Sequence, residues 1–158
     1  MITINANTDA IERAITDLIN KGNDLTAPMK SIGGEMVNRT QQRFRDKEAP
    51  DGTPWAPNSP VTEKRKGHGR VLEGENKQLA KQFSYSASSD GVEWGSLMDY
   101  AAMQHFGANR GEFGEGRYKT KSGTFPIPWG DIPSREFIGL NDDDEDEVLG
   151  ILADHLSL

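Results

Sequence analysis

The sequence predicts an α+β fold on three observations: two amphipathic helical stripes open the chain, an alternating apolar pattern broken by Asp90-Gly91 occupies its middle, and a further stripe closes it. The arrangement expected is an antiparallel β-sheet with the N-terminal helices packed on one face and a C-terminal helix. A length of 158 residues suits one domain over 1–158, and no shift in composition marks a second.

In the first stripe, Ile11, Ala14, Ile15, Leu18 and Ile19 recur at helical spacing, with Thr8 or Asp9 placed to cap the start and Gly22 the end. A longer helix is expected from Pro28 through Met29, Ile32, Met36, Val37, Thr40 and Phe44. Its interior carries Gly33-Gly34, and each glycine there costs roughly 1 kcal/mol against alanine, so a bend or a close contact is expected at that point. Residues 61–77 read as a charged, turn-rich stretch, and ENKQLAKQF as a short helix or a strand entry. The hairpin follows in QFSYSASSDGVEWGSLM. A two-residue loop at Asp90-Gly91 pairs Ser89 with Val92 and sets Ala87 against Trp94 and Phe83 against Met98. DYAAMQHFG reads as a short helix capped by Asp99 and closed by Gly107. Residues 108–123 are too glycine-rich and charged for helix or strand and read as a flexible loop insert. TFPIPW resumes as an edge strand, because Pro126 and Pro128 cannot donate to a ladder. The acidic run NDDDEDE then feeds the last helix, whose inner face carries Val148, Leu149, Leu152 and Leu156.

One loop stands apart. EAPDGTPWAP, residues 48–57, sets three prolines, an Asp51-Gly52 turn and Trp55 within ten positions. The prolines stiffen the loop, so little conformational entropy is lost when the Trp55 ring is covered. Its cover is either a distant part of the same chain or a neighbouring subunit.

Bulk properties restrict the function. Only 34% of residues are hydrophobic, which implies a modest core that oligomer contacts would support. A net charge of −7 with a pI near 5.0 argues against nucleic-acid binding through the whole surface. There are no cysteines, so disulfides and thiolate metal sites are excluded. The start, MITINANTDA, lacks the pattern of an export signal, and no segment has the length of a membrane span.

Enzyme motifs are missing. No nucleophile elbow, P-loop or H-E-x-x-H occurs, and the glycines of GEFGEG run in the wrong order for a dinucleotide site, so no cofactor or metal is expected. The acidic run lacks the glycine and glutamate positions of an EF-hand and reads as a solvated helix start. His105, at a helix end beside the long loop, admits two readings: a histidine that packs and hydrogen-bonds, or a hydrolase residue working with carboxylates. Two basic clusters, Lys64, Arg65, Lys66 and Arg70, then Arg110, Arg117, Lys119 and Lys121, admit nonspecific DNA proximity. Trp55, Arg110, Arg117, Lys119 and Lys121 are therefore candidates for partner or subunit contacts.

RFRDKEAPDGTPWAPNSPVTEKRK resembles the hallmark stretch of the phage virion morphogenesis proteins, a family that includes the G protein of Mu-type phages and related tail-completion proteins. The matching positions are Arg43-Phe44 at a helix end, Asp51-Gly52, then Trp55 and Pro57. Later pieces keep the family's order: GVEWGS, the Tyr100 to Gly107 stretch YAAMQHFG with His105, and PSREFIGL with Arg135, Phe137 and Gly139, followed by acids. The sequence departs from the family pattern at Gly74-Glu75 and at Glu136. The resemblance implies a small α+β subunit of the phage or prophage particle, acting in tail completion or head-tail joining. It implies a homo-oligomeric ring in the neck or tail, assembled in the host cytoplasm, contacting other tail or head-tail connector proteins and performing no catalysis.

Overall fold

A computed structural model describes residues 8–22, 24–74, 76–112, 117–120, 122–126 and 130–156. Its centre is one long helix. α1 (Asp9–Asn20) leads to α2 (Thr26–Asp46), whose 21 residues extend about 30 Å. Three short helices follow or flank the hairpin: α3 (Pro60–Lys66), α4 (Gln78–Lys81) and α5 (Ala101–Phe106). The hairpin is β1 (Phe83–Ala87) with β2 (Val92–Ser96), a second ribbon is β3 (Arg117–Thr120) with β4 (Gly123–Pro126), and α6 (Asp142–Leu156) ends the chain.

The expected helices form, with other caps. Thr8 donates to the Glu12 carboxylate at 2.8 Å rather than capping α1 with its side chain. α2 begins two residues before Pro28, where the Asp24 carboxylate accepts from the Thr26 N–H at 2.9 Å. Tyr100, not Asp99, occupies the cap position of α5, and Gly107 ends that helix at φ 78°. The stretch read as turns contains α3: Ser59 caps it through the Thr62 N–H, Pro60 is pre-set for a first turn, and Gly67 ends it at φ 71°.

Hairpin pairing is slipped by two residues from expectation. Ala87 lies opposite Val92, Tyr85 opposite Trp94 and Phe83 opposite Ser96. The turn centres on Ser89-Asp90, with the Ser88 N–H donating to the Gly91 carbonyl at 2.9 Å and the Ser88 hydroxyl to Asp90 at 2.6 Å. Neither Asp90 nor Gly91 has the positive φ that a type I′ turn requires. Because the slip is even, every side chain keeps its predicted face.

The strands do not join into one sheet; among the described residues they form two separate two-stranded ribbons. β3 lies inside the segment expected to hold neither helix nor strand, running from Arg117 opposite Pro126 to Thr120 opposite Gly123. Gly123, at φ 138°, supplies a conformation unavailable to other residues.

Two apolar clusters lie along α2. The first gathers α1, the N-terminal part of α2 and α6 through Ile11, Leu18, Leu25, Met29, Val148 and Leu152. The second surrounds the far end of α2 and contains Phe44, Trp55, Leu79, Phe83, Ala101 and Phe137. Trp94 packs against both. At Gly33 the hairpin approaches the helix so closely that an added Cβ would lie 2.3 Å from the Tyr85 ring, whereas the Gly34 position is open. No helix among the described residues is long and apolar enough to cross a membrane.

Candidate functional site

The stiff loop is a small hairpin grown from the end of α2. Lys47 leaves the helix at φ 65°, and Ala49 and Thr53 close a three-residue loop over Pro50, Asp51 and Gly52, with Gly52 at φ 79°. The Asp51 carboxylate accepts from the Thr53 N–H at 2.9 Å, and the Trp55 N–H returns to the Lys47 carbonyl at 2.8 Å. This closure aims the Trp55 ring back at Phe44, edge to face, with centroids 5.1 Å apart. Its indole N–H donates to the Glu136 carbonyl at 2.7 Å. The ring, 7% exposed, is covered by its own chain, which leaves a neighbouring subunit little of it to touch.

The segment from Arg135 to Asn141 clasps this loop from the other side. Arg135 donates to the Ala56 and Pro57 carbonyls, both at 2.8 Å, and burial pushes its guanidinium pKa down. Asn141 donates to the Pro50 carbonyl at 2.8 Å, and Gly139 faces Pro50 so closely that a Cβ would meet it at 2.8 Å. Arg43 donates to the Gly139 carbonyl at 2.9 Å and pairs with Asp144. Asp144 is 1% exposed, pairs also with Arg39 at 3.0 Å, and exchanges hydrogen bonds with Asn141 across the first turn of α6. Phe137, fully buried, touches the rings of Phe44, Phe83 and His105.

Arg43, Phe44, Trp55, Pro57, His105, Arg135, Phe137 and Gly139 are thus brought together in one internal clasp. Sequence reasoning missed Asp144, because it sits in an acidic run that otherwise reads as solvated. The signal was present: Asn141 and Asp144 have the three-residue spacing of a reciprocal helix cap.

His105 belongs to this clasp too. It is 2% exposed, its Nδ1 accepts from the Phe137 N–H at 3.2 Å, and burial pushes its pKa down to about 4, so it is neutral at pH 7. The structure therefore shows the packed histidine of the two readings. No group of three or more metal-ligating side chains gathers among the described residues.

The basic residues gather elsewhere. A cleft of about 940 Å³ opens between α3, α4, α5 and the chain near 108–111 and 130–135, and its walls hold Arg65, Lys66, Lys77, Arg110 and Arg135 against Glu73 and Asp131. The fold thereby brings Arg110 together with Arg65 and Lys66, which sequence reasoning placed in separate clusters. Arg110 is exposed, and its backbone N–H is held by Asp131 at 2.8 Å. Lys66 has its pKa lowered by partial burial and then by Arg135, with Glu73 opposing. Glu73 anchors one wall through Lys47 at 2.6 Å, Lys77 at 3.3 Å and Arg70 at 3.4 Å. Tyr100 lines the cleft as well and is 39% exposed. Of the remaining candidates, Arg117 and Lys119 are described only as backbone of β3, and Lys121 lies outside the described residues.

No curated protein and no solved structure matches this chain at a significant level. The model of the phage virion morphogenesis family matches residues 6–157, taking in the elbow, the clasp and both ends of α2. With the match covering nearly the whole length, the chain belongs to the phage virion morphogenesis family.

Proposed function

We propose that this chain is a structural subunit of a phage or prophage particle that acts in tail completion or head-tail joining through protein-protein contacts, as a ring, without making or breaking bonds. The family match over residues 6–157 carries the reading. Support comes from where the landmark side chains lie: they hold the elbow, α2 and α6 in one fixed relation, and His105 among them is buried and neutral at pH 7. A rigid subunit loses little conformational freedom on joining a particle. Its partners are further copies of itself and the tail or connector proteins beside it.

Complementation tests this reading. A phage lacking the chain should yield heads and tails that fail to join or finish, and supplying the wild-type chain should restore complete particles. Complete particles formed without the chain would overturn the reading.

A further inference from the structure

We propose that the basic cleft is the acceptor half of a head-to-tail contact between copies of this chain, and that its occupant is the acidic start of α6 on the next copy. The inference rests on the ring reading above and adds which two surfaces meet. Charge complementarity carries it. The cleft walls carry Arg65, Lys66, Lys77 and Arg110 at the surface against Glu73 and Asp131, while Arg135, 6% exposed, is committed to the elbow carbonyls.

α6 supplies the opposite sign. Asp142, Asp143 and Asp146 are exposed and form no ion pair with any described residue. Asp143, Asp146, Glu147 and Asp154 rim a shallow hollow of about 300 Å³ that also reaches Gly150 and Ile151. The two surfaces share no residue and rest on different elements: α6 packs on α1 and α2, while the cleft is walled by α3, α4 and α5. A contact between unlike surfaces is heterologous, the kind that forms a ring when the rotation between copies closes and a filament when it does not.

A polypeptide fits this cleft better than a nucleic acid does. Leu72, Leu79, Met103 and Ile132 contribute apolar wall, and Glu73 and Asp131 would repel a continuous run of phosphates. The net charge of −7 opposes DNA in the same way.

The test uses the full chain with two variants: Lys66→Glu/Arg110→Glu, which disables the cleft, and Asp143→Asn/Asp146→Asn, which disables the acidic surface. Sedimentation velocity and native mass spectrometry follow assembly up to millimolar concentration, with circular dichroism checking the fold. Should the charge reversal unfold the chain, Lys66→Gln/Arg110→Gln replaces it. Wild type should form multi-subunit species that weaken between roughly 0.05 and 0.5 M salt. Each variant alone should associate at least about tenfold more weakly. A mixture of the two should stop at a 1:1 heterodimer, because each retains one working half. Variants that assemble like wild type would overturn the cleft contact and leave the ring reading standing. A wild-type chain that neither self-associates at millimolar concentration nor binds isolated particles would overturn both. A labelled DNA duplex bound by wild type and lost in the cleft variant, with assembly unchanged, would assign the cleft to nucleic acid instead.

Discussion

The two ends of α2 are built on different principles. Around its first half the core is aliphatic, made of Ile11, Leu18, Leu25, Met29, Val148 and Leu152, side chains that can contribute only by burial. Around its far end, rings of Phe44, Trp55, Phe83 and Phe137 interlock beneath polar clasps from Arg43, Arg135, Asn141 and Asp144. The first core tolerates exchange of one apolar residue for another of similar volume. The second fixes particular side chains to particular backbone atoms, and the elbow takes its position from them.

This contrast predicts unequal costs of mutation. Asp144→Ala stands at the top of the range, because it leaves Arg43 buried without its carboxylate: a loss of about 3–5 kcal/mol in urea unfolding is expected. An Arg43→Met/Asp144→Leu double variant should recover much of it, since the lone charge is then gone. If the double is no better than the single, the cost lies in shape rather than charge.

Acid should act on the same end. His105 titrates near 6.5 in the unfolded chain and near 4 when buried, so the unfolded state binds more protons between those values. Its contribution is complete above pH 6.5 and disappears as pH falls toward 4, at most about 3 kcal/mol. Unfolding followed from pH 7 to pH 4 should show this slope, and a His105→Gln variant should show less of it.

Smaller effects are expected where the hairpin crosses the helix. Gly33→Ala drives a methyl into the Tyr85 ring and should cost about 1–3 kcal/mol. Gly34→Ala meets nothing and should gain about 0.5–1 kcal/mol by removing backbone freedom from the unfolded chain. Equal melting temperatures for these neighbours would contradict the close approach.

The same contrast governs what was legible in the sequence. The aliphatic core was open to reading because Ile11 and Leu18 in α1, Met29, Ile32 and Met36 in α2, and Val148 and Leu152 in α6 recur at helical spacing within their own helices. The elbow was visible from its prolines and glycine, but its cover was not, because the groups that hold it are the carbonyls of Pro50, Ala56, Pro57 and Glu136, which every residue type carries. β3 was hidden by glycine and charge around it, and α3 by its run of Lys64, Arg65 and Lys66. The hairpin slipped because Ser88 bonds its own turn, a local choice that strand alternation does not encode. The basic cleft joins Lys66, Lys77, Arg110 and Arg135 from four separate segments, so only the fold reveals it.

Trp55 and the side chains clasped around it belong to the core of the subunit, and the proposed assembly contact uses Lys66 and Arg110 on the cleft wall and Asp143 and Asp146 on α6. Urea unfolding of Trp55→Ala under dilute, monomeric conditions separates these two roles. A loss of about 3–5 kcal/mol is expected in the isolated subunit, the range for truncating a buried aromatic ring. A variant that unfolds like wild type yet no longer assembles would contradict the core role of Trp55.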